Sequence, residues 1–238
     1  MKLRTKSLAA AALAGTLLAA GCSSSGGNSA ANTTAPSSHT MGSNGHAMGT
    51  NDGSSPDATA AADLRSTLTG LLSDHVWLAG NALQTAVLKG GDLKDPAVAG
   101  AVSALDANSV ALAKTLGSVY PSAEKPFLAS WRQHIGFFVN YTLGKATKND
   151  AMANKAKKDL DGYRTSFGQL IHSVVPELPA DAVAQELVPH VQSLLDAIDA
   201  AVAGRPDFQT KLDAAAAHMT MTAAVLTHGI VANKMIKD

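Results

Sequence analysis

From Asp63 onward, apolar residues recur at helical spacing. Leu64, Leu68, Leu71, Leu72, Val76, Ala79 and Ala82 fall on one stripe of a 3.6-residue helix. Asp63 is the expected N-cap and Gly90-Gly91 the expected stop. The same pattern predicts five further helices, over about 97–118, 123–147, 151–175, 181–203 and 207–236. The breaks between them fall at Tyr120-Pro121, Lys148-Asn149-Asp150, Pro176–Pro179 and Gly204-Arg205-Pro206. No segment alternates convincingly with period two, so the expected fold class is all-α.

The helices repeat. "LSDHVWLA" (72–79), "WRQHIGFF" (131–138) and "LVPHVQSL" (187–194) each carry an apolar residue three before a histidine and another directly after it. Four residues after the histidine each has an apolar or small residue. The alternate helices share a second pattern: "LDANSVALAKTLGSV" (105–119), "LDGYRTSFGQLIHSV" (160–174) and "LDAAAAHMTMTAAVL" (212–226). Counted from each leading Leu, the seventh, eleventh and fourteenth residues onward are Leu112/Leu116/Val119, Phe167/Ile171/Val174 and Met219/Ala223/Leu226. One heptad-like stripe is thus written three times. The expected architecture is a helical bundle of about six helices, arranged as three antiparallel hairpin repeats of about 55 residues each. Asp106, Asp161 and Asp213 share one slot of the even helices, read as stabilising their first turns.

Residues 23 to about 60 lack Leu, Ile, Val and aromatic residues, and Asp52 and Asp57 are their only charges. Such a segment buries too little apolar surface to offset its ordering entropy, so a disordered tether is expected. A Gly/Ser-type chain of this length has a mean span of roughly 35 Å. Before it stands "MKLRTKSLAAAALAGTLLAAGCSSSGG", with Lys2, Arg4 and Lys6, an apolar run from Leu8 to Ala20, and then Gly21-Cys22. This pattern reads as a secretory signal, too short for a permanent membrane span. Its end, Leu18-Ala19-Ala20-Gly21-Cys22, resembles the lipobox of bacterial lipoproteins. The family's usual Leu three before the Cys is here Ala19, with Leu18 one position further back. The resemblance implies cleavage before Cys22, lipidation of Cys22, and anchoring on the extracytoplasmic side of the cell membrane. The expected organisation is a signal peptide over 1–21, a tether over 22–62 and a bundle over 63–238.

Charge and cysteine content narrow the function. The formal net charge is zero, and loss of Lys2, Arg4 and Lys6 on cleavage leaves −3. Neither state has the electrostatic footprint of a nucleic-acid binder. A single Cys excludes an intrachain disulfide and a Cys-rich zinc site. Aromatics are only 4% of residues, so Leu, Val, Ile and Ala must fill most of the core.

"LLSDHVWLAGNAL" and "SWRQHIGFFVNYTLGKATKND" resemble the His-Val/Ile-centred helices of helical-repeat envelope proteins in Gram-positive bacteria, which often carry the label copper-amine-oxidase-like. The resemblance spans about residues 64 to 232 and implies an envelope protein. It does not carry the oxidase chemistry over. Copper amine oxidases form a quinone from a tyrosine in an Asn-Tyr-Asp/Glu setting on a β-sandwich, whereas Asn140-Tyr141 is followed by Thr142 inside an expected helix.

Histidine and methionine are the remaining chemistry. Copper(I) favours soft thioether and imidazole ligands. Two His-x-Met triplets in the tether, His39/Met41 and His46/Met48, offer up to four of them and resemble the Met/His-rich segments of envelope copper-handling proteins. In the last helix His218, Met221, Val225 and His228 share a face. Distances from the Gly204–Pro206 turn put His190 level with His218 to Met221, beside a kink expected at Pro189. The candidate metal ligands are therefore His39, Met41, His46, Met48, His190, His218, Met221 and His228. The default role of His75, His134 and His190 is to set hairpin packing, and Met219 on the core stripe is a packing residue.

Enzyme signatures are missing: no Gly-x-Ser-x-Gly elbow, His-Glu-x-x-His or phosphate-cradling loop occurs. Glu124, Glu177 and Glu186 lack a histidine three residues on, against a di-iron bundle. The sequence therefore points to a lipid-anchored, non-catalytic envelope protein that binds copper for buffering or delivery. The alternative is an interaction module docking a protein or lipid partner, with structural histidines and no metal.

Overall fold

The computed structural model describes residues 59–234, so Cys22 and the tether ligands His39, Met41, His46 and Met48 lie outside the described residues. Within them are six α-helices and no strand: α1 (Ala60–Leu88), α2 (Pro96–Val119), α3 (Glu124–Ala146), α4 (Asp150–Val174), α5 (Ala180–Val202) and α6 (Phe208–Lys234). A short 3-10 turn, Pro121–Ala123, leads into α3. The fold is all-α, as the spacing predicts.

Helix ends explain why the breaks were readable. Gly90, Lys148 and Gly204 follow α1, α3 and α5, and all have positive φ (65°, 56° and 63°). Beyond each, an N–H reaches back across the last turn: Gly91 to the Ala86 carbonyl, Asn149 to Gly144 and Arg205 to Ala200, at 2.7–2.9 Å. This is the Schellman closure, which needs one left-handed residue and favours glycine there. The helices α2 and α4 stop differently but alike. Tyr120 (φ −130°, ψ 80°) and Val175 (φ −129°, ψ 80°) precede Pro121 and Pro176, and a residue before proline is pushed out of the helical region.

Two local expectations are corrected. Helix α1 starts at Ala60, because Thr59 caps it by accepting the Ala62 N–H at 3.1 Å, while Asp63 falls within the first turn. Asp106 and Asp161 lie well inside α2 and α4, beyond reach of the helix N-termini, and pair instead with Arg132 and Arg164. The expected helix starts were themselves close to the observed ones, and the first-turn reading fails because the slot lies more than two turns inside α2 and α4.

Consecutive helices pack side by side around a closed ring, with α6 returning against α1. The short turns between them are consistent with antiparallel hairpins. The odd helices α1, α3 and α5 also touch one another, which places them at the centre, with each even helix wedged between two of them. Burial repeats with the sequence. In every even helix the first two residues of the heptad stripe are buried and the third is partly exposed: Leu112, Leu116, Val119; Phe167, Ile171, Val174; Met219, Ala223, Leu226. Small residues permit close approach where helices meet. A Cβ on Gly168 would overlap the Ala180 carbonyl of α5. Although α2 and α6 are long and apolar enough to cross a membrane by composition, their buried residues belong to this core.

Candidate metal centre

Helices α1, α3 and α5 carry one repeat pattern and touch one another at the middle of the bundle. His75 of α1, His134 of α3 and His190 of α5 do meet there, and a ligating nitrogen from each lies within 4.8 Å of the others. Packing places them. The residues three before (Leu72, Trp131, Leu187) and four after (Ala79, Phe138, Leu194) are all buried, so the histidine between them on the same face is buried too. Exposure is 1% for His75, 2% for His134 and 4% for His190.

The Nε2 atoms of His75 and His134 are 3.4 Å apart. Two nitrogens each bound about 2.0–2.1 Å from one metal at tetrahedral or trigonal angles lie roughly 3.3–3.6 Å apart. This pair therefore has the separation of two ligands, and also of a long N–H···N hydrogen bond. Drawing in the third nitrogen requires a movement of about 1 Å, within reach of side-chain rotation. The Nδ1 atoms of all three histidines are buried without a hydrogen-bond partner in the protein, as is Trp131 Nε1. Buried polar atoms without partners are rare and costly, and four of the five such side-chain atoms among the described residues gather in this one core.

Electrostatics keep the imidazoles neutral. Burial lowers the His75 pKa to about 3, with His190 adding to the effect. Burial lowers that of His190 to about 4, aided by His218. His134 is held well below the ordinary histidine value by burial and then by His75 and His190. The Trp131 carbonyl opposes this weakly, without reaching hydrogen-bonding geometry at Nδ1. Neutral imidazole is the metal-binding form. The cluster thus presents neutral imidazoles at neutral pH, each with one ring nitrogen free of a proton, and no carboxylate is among them.

Aromatic rings wall the site. Tyr163 stacks on His134 at 4.9 Å, and Trp131 stands 4.6 Å from His134 and 4.9 Å from His75. Phe138 meets His134 and His190 edge-on, and Phe127 and Phe167 pack behind Trp131. Five of the ten aromatic residues of a chain poor in them surround these histidines. An apolar cavity of about 50 Å³ adjoins His134 and His190, and a second of similar size adjoins His75 and His134. Each accommodates a few water-sized groups rather than a large ligand.

No protein-family model matches this chain, nor does any curated protein or solved structure.

The expected ligands of the folded domain divide. His190 joins His75 and His134. His218 lies on the neighbouring helix with its Nε2 at 3.2 Å from the Glu186 carbonyl and 3.6 Å from Glu186 Oε1. Met221 is 59% exposed and His228 is exposed, so both face outward. Met219 is buried at 1%, as a packing residue should be. Sequence reasoning placed His75 and His134 in the repeat slot but assigned them to packing. The signal the sequence offers is the shared repeat slot, which marks the three histidines as equivalent without specifying that they meet.

Proposed function

We propose that this chain is a lipid-anchored envelope protein that binds copper without catalysis, and that His75, His134 and His190 hold the ion in the bundle. One observation carries the reading: three neutral imidazoles from three helices converge in a buried core that leaves their Nδ1 atoms without a protein partner. Imidazole suits copper and zinc alike. Burial favours the monovalent ion, because the cost of desolvating a charge rises steeply with its magnitude and no carboxylate is present to offset it. Three-coordinate copper(I) fits these ligands best. In this reading the tether ligands His39, Met41, His46 and Met48 capture copper nearer the lipid anchor at Cys22 and pass it to the bundle.

The second reading, an interaction module with structural histidines, draws support from the His75–His134 separation, which one N–H···N bond also explains. Metal titration separates the two. Soluble protein from residue 23 onward is titrated with copper(I) against a competing chelator. The first reading expects one tightly bound ion that survives replacement of the four tether ligands and is lost in His75→Leu and His134→Leu. Absence of binding in the bundle overturns it in favour of the second. Binding lost only with the tether ligands moves the site out of the bundle.

A further inference from the structure

The three histidines are sealed from solvent, so an ion bound there needs a way in. We propose that Glu186 and His218, with Met221 outside them, form the portal through which copper reaches and leaves the buried centre. This inference rests on the copper reading above.

The wall of the cavity beside His134 and His190 is apolar apart from a few polar groups, and Glu186 is the one carboxylate on it. Glu186 also reaches outward: its side chain is 27% exposed and that of His218 15%. The two face each other at 3.6 Å between Oε1 and Nε2, and the Thr222 hydroxyl donates to the same Glu186 oxygen at 3.4 Å. Thr222 lines the same cavity. One turn beyond His218 on the same helix, Met221 stands in solvent. Potential donors therefore run from surface to core in order: a thioether, an imidazole beside a carboxylate, then His190 and its two partners.

Each donor suits its depth. A thioether and an imidazole are soft enough to take copper(I) from water or from a donor segment. The Glu186 carboxylate offsets the cost of bringing a cation into the apolar mouth. Passage inward is ligand exchange: a bond from copper to His190 forms as the bond to His218 breaks, with no electron or proton transferred. Pro189, next to His190, lies inside the continuous helix α5 and lacks the N–H that would close one helical hydrogen bond there.

Transfer kinetics test the proposal. Copper(I) is passed from a coloured chelator to the full chain in detergent, and loading and release rates are followed by stopped flow beside the equilibrium affinity. Glu186→Gln and His218→Gln are expected to slow loading and release together by tenfold or more, leaving affinity within twofold of wild type. The exposed Met221→Leu, which leaves the fold undisturbed, is expected to slow loading about threefold. Unchanged rates in all three variants overturn the portal. Weakened affinity with unchanged loading overturns it too, by making these residues ligands of the centre. Wild-type binding indifferent to His75→Leu and His134→Leu is a separate pattern; it overturns the metal centre and the portal with it. In His134→Leu, where the centre is disabled, paramagnetic copper(II) is expected to broaden the His218 ring resonances before those of the other bundle histidines. Broadening that bypasses His218 counts against the portal.

Discussion

His75 Nε2 and His134 Nε2 stand 3.4 Å apart in the bundle core, although 59 residues separate them in the chain. Neither histidine has a partner at its Nδ1. A packed core gains nothing from this arrangement that leucine would not supply better, since unpaired buried polar groups cost about 1–3 kcal/mol each.

Metal-free protein should therefore tolerate loss of the pair. Replacing His75 by Leu is expected to leave stability unchanged or to raise it by about 1–2 kcal/mol, because an unpaired polar atom is exchanged for an apolar group of similar volume. Denaturant unfolding without copper measures this. Destabilisation beyond 2 kcal/mol, on the order of a lost core contact, would mean that the histidines hold the bundle together.

Acid should weaken the metal-free fold earlier than its surface charges suggest. The pKa values of His75 and His190 are lowered to about 3 and about 4, and that of His134 is also lowered. Between pH 6.5 and those values the unfolded chain binds protons that the folded chain refuses, so stability falls as pH falls. From pH 7 to pH 5 each such histidine contributes a loss of about 2 kcal/mol. Urea titrations at the two pH values check the sign. A His75→Leu/His190→Leu variant should lose most of the dependence.

Two glycines should respond differently to a methyl group. At Gly168 the new Cβ meets the Ala180 backbone carbonyl, which cannot move without shifting α5. At Gly80 it meets the end of the Leu212 side chain, which can rotate. Gly168→Ala is expected to destabilise by about 1–3 kcal/mol. Thermal unfolding should rank it clearly below Gly80→Ala; equal effects would place the α4–α5 contact elsewhere.

Lys148 occupies the left-handed position that Gly90 and Gly204 fill at the ends of the other central helices. A side chain there costs roughly 1–2 kcal/mol, partly returned as lower unfolded-state entropy. Lys148→Gly should raise the melting temperature by a few degrees. A drop would show that the lysine side chain contributes more than its backbone strain costs.

Most of the fold was legible in the sequence because its signals are local. Helical spacing, glycine or proline at the breaks, and a pattern repeated three times depend on residues within a turn or two of one another. The observed helices start and stop close to the expected positions; the exception at α1 arose because Thr59, a weaker-looking cap, lies one turn before Asp63. His190 was singled out as a candidate ligand, but by reasoning within the last hairpin, which offered His218 and Met221 as its partners.

Which histidines meet is a property of the closed ring. A helical pattern specifies the face a side chain occupies, yet not which other helices that face will oppose, since any apolar stripe satisfies another. Closure of α6 on α1 brings the three central helices together and turns three separate packing positions into one cluster. By itself the sequence determined the helices, their ends and the threefold repetition, through short-range backbone and side-chain preferences. Only the tertiary structure decided that His75, His134 and His190 share one buried centre while Met221 and His228 face water, because that depends on how non-local apolar faces are buried together.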